Sequence, residues 1–246
     1  MMKTMRRLTF ITAICALLAA PVWADQVTTV DGYGIWQAGQ GGEFTLKPSA
    51  SLSWVLPYYS ASTRNQGSQV VPGSFQTFCL EQAEYVYANT TFDVVLNDKA
   101  VLGGVAFPGD PLSVGTAWLY HEWQQGTLAG YDYADTGVGR HESAVALQNT
   151  IWWLEGGADP GANVFKTAVL NEFITEAKAT ADNAGQYAVA VLNLWVPGHI
   201  NDFSKDTSGN YLYLRQDMLV CVPIPAAVLL GMLGLGAAGL KLRKFV

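Results

Sequence analysis

The sequence predicts an α+β fold, a single domain of mainly antiparallel strands with a helical insertion, set between a cleavable leader and a membrane-spanning tail. Three observations lead there. Residues 25–100 hold runs of β-branched and aromatic side chains broken by Gly, Pro, Asn or Ser, the pattern of half-buried strands. Residues 112–180 lose that character and carry apolar side chains at helical spacing. No repeat, long linker or low-complexity block divides residues 25–221. With 50% of its 246 residues apolar and only 14% charged, the chain is not a disordered polymer. Six of its 14 Lys and Arg lie at the termini, so residues 25–221 set eight of them against all 20 Asp and Glu, a net charge of −12. Such a surface disfavours nucleic acid and anionic lipid as partners.

Four strands are expected first, over Gln26–Trp36, Glu43–Leu56, Gln69–Leu80 and Glu84–Leu96. Leu112–Gln125 then reads as a short helix stopped by Gly126. Arg140–Glu155 has the strongest helical pattern, because Ala144, Leu147, Ile151 and Leu154 recur at spacings of three and four and Gly156-Gly157 can end the helix. A third helix follows Asp159-Pro160-Gly161 from about Asn163 to Thr180, with Val164, Ala168, Phe173, Ile174 and Ala177 as its expected buried face. Two strands, Tyr187–Val196 and Tyr211–Val220, close the domain.

Lys3, Arg6 and Arg7 precede an apolar run, Leu8 to Ala20, and a small-residue site at Val22-Trp23-Ala24, which is the pattern of a secretory signal peptide over residues 1–24. At the other end no charge occurs from Met218 to Leu240, a length that spans a bilayer, and Lys241, Arg243 and Lys244 follow. The basic cluster is expected to stay cytoplasmic, with the body outside. A permanent single-pass anchor is the plainest reading of residues 222–246. The run Val222-Pro223-Ile224-Pro225-Ala226-Ala227, its Gly-rich apolar continuation and the basic stop also resemble the PEP-CTERM sorting signal. That resemblance implies recognition and removal of the tail by an exosortase-type membrane protease, and delivery to the surface or exopolysaccharide matrix of a Gram-negative bacterium.

Cys15 leaves with the leader, so an exported body keeps Cys79 and Cys221, a count that suggests one disulfide. A second reading gives Cys79 a different partner. A thiolate attacks a side-chain carboxamide when the two are held together away from water, forming a γ-glutamyl thioester with loss of ammonia. Gln148 lies on the strongest helix, and Phe78, Trp152 and Trp153 are the aromatic side chains expected to shield such a bond. The bland alternatives are a buried amide bonded to backbone and an inert core thiol.

Phe78-Cys79-Leu80, followed by Gln148 with Ile151-Trp152, resembles the paired motifs of the thioester domains of Gram-positive surface adhesins, in which an aromatic-Cys-aliphatic strand faces a Thr-Gln-x-Ala-Ile/Val-Trp helix. The chain departs from that pattern at Leu147 and Thr150. Residues 115–120 and 126–131 look like the middle of exported PEP-CTERM proteins with a thioester-like domain, so the likeness runs from Phe75 to Gly156. It implies that Cys79 and Gln148 form the cross-link. It also implies that residues 25–221 couple covalently to an amine on a surface protein or polysaccharide.

Other chemistry is sparse. His121, His141 and His199 are scattered and no metal-binding spacing occurs, so neither metal nor cofactor is expected. His121 is a candidate proton acceptor beside a thioester, against the commoner reading of a surface histidine. Glu81 and Glu155 flank the motif residues as a formal acid/base pair, although charged side chains at element ends are ordinarily solvated. Trp54, Trp118, Trp123, Trp152, Trp153 and Trp195 suit either a sugar-stacking platform or a core. Three classes remain: a covalent adhesion or matrix protein, a non-reactive matrix component with a Cys79–Cys221 disulfide or free thiol, and a hydrolase. For the hydrolase no convincing nucleophile-base set exists, so an enzyme is not expected.

Overall fold

In the computed structural model, which describes residues 24–30, 37–38, 41–64, 71–102, 109–134 and 138–223, strand β1 (Asp25–Val30) turns Val27 and Thr29 inward by simple alternation. It is followed by β2 (Gln37–Ala38), β3 (Gly41–Gly42), β4 (Phe44–Pro48), β5 (Phe75–Thr77), β6 (Thr91–Asn97), β7 (Lys99–Ala100), β8 (Asp110–Pro111), β9 (Val189–Trp195) and β10 (Leu214–Cys221). Six of these form one antiparallel sheet in the order β10-β9-β6-β1-β4-β5, and β2–β3 and β7–β8 are short separate pairs.

The sheet curls until its two edges meet. Just beyond β5, Leu80 N–H bonds to Asp217 O at 2.9 Å, Leu219 N–H bonds to Phe78 O at 3.1 Å, and Cys79 stands opposite Met218. Edge groups that an open sheet would leave unpaired are satisfied across this seam. Side chains bolt it further. Thr77 Oγ1 donates to Leu219 O at 2.6 Å, Tyr120 Oη lies 3.2 Å from Gln76 O and 3.1 Å from Leu219 O, and Cys221 N–H donates to Tyr59 Oη at 3.1 Å.

Helices cover the sheet. α1 (Val114–Gln125) begins where Ser113 Oγ accepts the Thr116 N–H and ends at Gly126, whose φ of +78° is left-handed. It is buried along most of its length and packs on β9 and β10. α2 (Val138–Leu154) buries Ala144, Leu147, Ile151 and Leu154, the stripe its spacing predicts, and lies against β2, β3 and α1. The result is a single body of mixed helix and antiparallel strand.

Several expected elements differ. The strand over Glu43–Leu56 stops at Pro48, which has no N–H for the ladder, and a 3-10 helix (Ala50–Tyr58) takes over, burying Leu52 and Val55 three residues apart. The strand from Glu84 begins only at Thr91, after a turn in which Asn89 has φ +50°. The third helix is two, α3 (Val164–Phe173) and α4 (Glu176–Ala179). Ile174, at φ +69°, breaks the run and Thr175 caps the second piece. Its buried face is also rotated. Asn163 caps α3 through the Phe165 and Lys166 N–H groups, and Phe165, Val169 and Ala179 go inside while Val164 and Ile174 are exposed. The leader as far as residue 23, and Ile224, Pro225, Lys241, Arg243 and Lys244 of the tail, lie outside the described residues. Among the described residues no helix is long and apolar enough to cross a membrane.

Candidate functional site

The β4–β5 ladder pairs Leu46 with Phe75, Thr45 with Gln76 and Phe44 with Thr77. Two residues further along the same register Gly42 faces Cys79, but there a side chain from α2 enters between the strands. Gln148 Oε1 accepts the Gly42 N–H at 3.3 Å and the Cys79 N–H at 3.3 Å, and Gln148 Nε2 donates to Cys79 O at 2.8 Å. The carboxamide thus occupies a ladder position as a peptide group would. Cys79 can offer both backbone groups because its neighbours, Phe78 and Leu80, bond to β10 on the other side. Its sulfur lies 3.2 Å from Gln148 Oε1. Cys79 and Gln148 are 2% and 1% exposed, so the pair is closed to bulk water.

Two glycines make room. A Cβ on Gly41 would lie 2.5 Å from Trp152 Cη2 and 2.6 Å from Gln148 Cγ, distances no side chain tolerates. Gly42 has φ +127°, a conformation that L side chains rarely adopt. Next to them, buried Glu43 forms a two-pronged ion pair with Arg140 of α2, Oε1 to Nε and Oε2 to Nη2, both at 2.8 Å. Tyr131 Oη donates to the same carboxylate. Sequence reasoning passed over Gly41, Gly42, Glu43 and Arg140. The run Gly39-Gln40-Gly41-Gly42-Glu43 was the available signal, because adjacent glycines outside a turn often mark a close approach of backbone to another group.

Burial pushes the Cys79 thiol far above its ordinary range, opposed by its own backbone N–H. The Trp152 indole N–H has no hydrogen-bond partner among the described residues. The resting group is therefore a thiol, and attack on the carboxamide must move its proton. The arrangement offers the parts for that step: a sulfur touching the amide, two N–H groups aimed at the oxygen where negative charge would develop, and an amide nitrogen already held in place.

Of the aromatic residues expected around the pair, Trp152 packs at Gly41 beside Gln148, one helical turn on. Phe78 sits on the opposite face of its strand, edge-on to Trp123 with ring centroids 4.8 Å apart, and Trp153 is turned toward α3, with Lys166 Nζ 4.7 Å from its ring. His121 is on α1 against Tyr187, at 6.0 Å, and no described contact joins it to Cys79 or Gln148. Glu155 is buried rather than solvated and accepts from Ser113 Oγ at 2.8 Å, its pKa raised by burial to about 7. Glu81 is largely buried too, with one oxygen unpartnered among the described residues and a pKa pushed by burial to about 8. Trp123, Trp153 and Trp195 are core side chains. Among the described residues no group of His, Cys, Asp and Glu suits a metal ion.

Cys79 and Cys221 are both free, buried thiols. With Cys79 opposite Met218, Cys221 is three residues further along the seam, so its Cα is about 10 Å away at strand rise, beyond the roughly 7 Å a disulfide spans. An odd separation also puts the two side chains on opposite faces. Comparison with known protein families, with curated proteins and with solved structures finds no match to this chain.

Proposed function

We propose that the protein is an exported surface or extracellular-matrix protein that attaches covalently to an amine-bearing target through an internal thioester between Cys79 and Gln148. One observation carries this reading: the Cys79 sulfur 3.2 Å from Gln148 Oε1, with the Gly42 and Cys79 N–H groups directed at that same oxygen. In the forming step Cys79 Sγ bonds to the Gln148 carbonyl carbon, the C–N bond breaks, and ammonia leaves carrying the thiol proton. In the second step a target amine takes the acyl group as a stable amide and Cys79 regains its thiol. The protein is used once per attachment, so it acts as a reagent and not as an enzyme.

Residues 1–24 serve as the signal peptide in this reading. Residues 222–246 hold the body at the inner membrane until an exosortase-type protease removes them. The target is an amine-bearing surface protein or polysaccharide, and no cofactor takes part. Incubation of the full-length protein with methylamine tests the chemistry, because a thioester yields an N-methylamide at Gln148 and Gln148→Ala yields none. Truncation after Cys221 tests the sorting and should release the body to the medium. Equal location of the two forms would contradict it.

A second reading is favoured by the upward shift of the Cys79 thiol. In it the same contact is an inert hydrogen-bonded knot, and the protein is a passive matrix component. Methylamine leaves such a protein unchanged.

A further inference from the structure

We propose that the buried Glu43–Arg140 pair is the positioning unit for acyl transfer between Gln148 and Cys79, holding Gly42 in register against α2 so that its N–H meets the Gln148 oxygen. This rests on the thioester reading. Glu43 follows Gly42 directly, and Arg140 precedes Gln148 by eight residues, two turns back on the same side of α2. The ion pair and the Gly42–Gln148 bond are therefore two rungs between the same two segments.

The geometry is stiffer than burial alone demands. The guanidinium and carboxylate meet through two parallel bonds of 2.8 Å with both side chains fully buried. Arg140 also donates from Nη1 to Tyr133 O at 2.9 Å and from Nη2 to Ser62 O at 2.8 Å, and Tyr131 Oη donates to Glu43. Every prong is thus fixed by a third group. A buried ion pair gives up hydration that apolar side chains of the same volume would not, so it is a poor device for stability alone. What it supplies is a fixed position. Acyl transfer depends on such precision, since a displacement of about 1 Å at the reacting groups lowers a rate roughly a hundredfold. As sulfur adds to the carbonyl carbon and ammonia departs with the thiol proton, the charge on Oε1 is met by the Cys79 and Gly42 N–H groups. The first is fixed by its own strand; the second lies in the two-residue β3, which pairs with β2, and the clamp at the next residue, Glu43, ties it to α2.

The test compares full-length wild type with Glu43→Gln, Arg140→Lys and the apolar double variant Glu43→Met/Arg140→Leu. Each is refolded, and the loss of ammonia is followed by mass alongside a thermal melt of the same sample. Folded Glu43→Gln and Arg140→Lys should form the bond at least about tenfold more slowly than wild type. The double variant should melt near wild type yet form little of it, which a merely structural pair would not produce. Wild-type rate and yield in a folded variant would overturn the proposal, as would failure of all three to fold, which makes the pair structural. A wild type without the bond overturns the thioester reading and this proposal together, whereas a wild type with the bond and unaffected variants overturns this proposal alone.

Discussion

Gly42 and Cys79 face each other where β4 and β5 part, and their N–H groups share one acceptor, Gln148 Oε1, at 3.3 Å each. A side chain that replaces a backbone partner in a ladder is held in two dimensions by the strands and in the third by its own helix. Gln148 meets that description, and it brings the one functional group that a neighbouring thiol can convert into a stored acyl group.

Gly41→Ala should disable the site while leaving both reacting residues unsubstituted. The added Cβ meets Trp152 and Gln148 Cγ inside 2.7 Å, so the helix must move or the side chains must leave their rotamers. Overpacking of this kind costs about 1–3 kcal/mol, and a melt should record it together with loss of methylamine uptake. Unchanged stability and uptake would mean that Gly41 does not press on the pair.

Stability should fall as pH rises from 5 to 9. Burial raises the pKa of Glu81 to about 8 and moves Glu84 and Asp217 in the same direction, with Glu84 accepting the Asp217 N–H at 3.2 Å. The folded state thus binds more protons than the unfolded chain above the ordinary carboxylate range. That contribution is complete below the unfolded pKa, near 4, and is lost as pH climbs through the folded values. The double variant Glu84→Gln/Asp217→Asn should flatten the melting temperature over this interval. A wild-type profile already flat, or rising, would contradict the assignment.

Cys79 and Cys221 should remain unlinked even when the native protein is exposed to a mild oxidant. The seam register separates them by three residues and turns them to opposite faces, outside the reach of a disulfide. Peptide mapping without reductant checks this, and a linked peptide pair would mean that the seam is built differently.

The sequence made some of this visible and hid the rest for physical reasons. α2 was readable because four apolar residues at helical spacing have one interpretation, and Gly126 ended α1 because only glycine adopts its conformation cheaply. The pairing of Cys79 with Gln148 came from two short motifs 69 residues apart. What holds them was hidden. Gly41-Gly42 lie between two expected strands and show no role until a carboxamide is seen beside them, and Glu43 and Arg140 read only as the first residues of an expected strand and helix until they meet across 97 residues of chain. Phe78 and Trp153 were grouped with the site as sequence neighbours of the motif residues and His121 as a candidate proton acceptor, yet alternation along the strand, the 100° step of the helix and the placement of α1 carry them elsewhere. The break at Ile174 depended on a single left-handed residue, which spacing does not reveal.

The central claim is tested most directly by the intact mass of the purified, denatured body beside that of Cys79→Ala. Formation of the thioester expels one ammonia, so the wild type should be lighter than its sequence by about 17 Da while Cys79→Ala has its full calculated mass. Addition of methylamine before denaturation should convert that deficit into a gain of about 14 Da on Gln148, again in the wild type alone. A wild type at its full unmodified mass, with Cys79 a free thiol after unfolding, would contradict the covalent account.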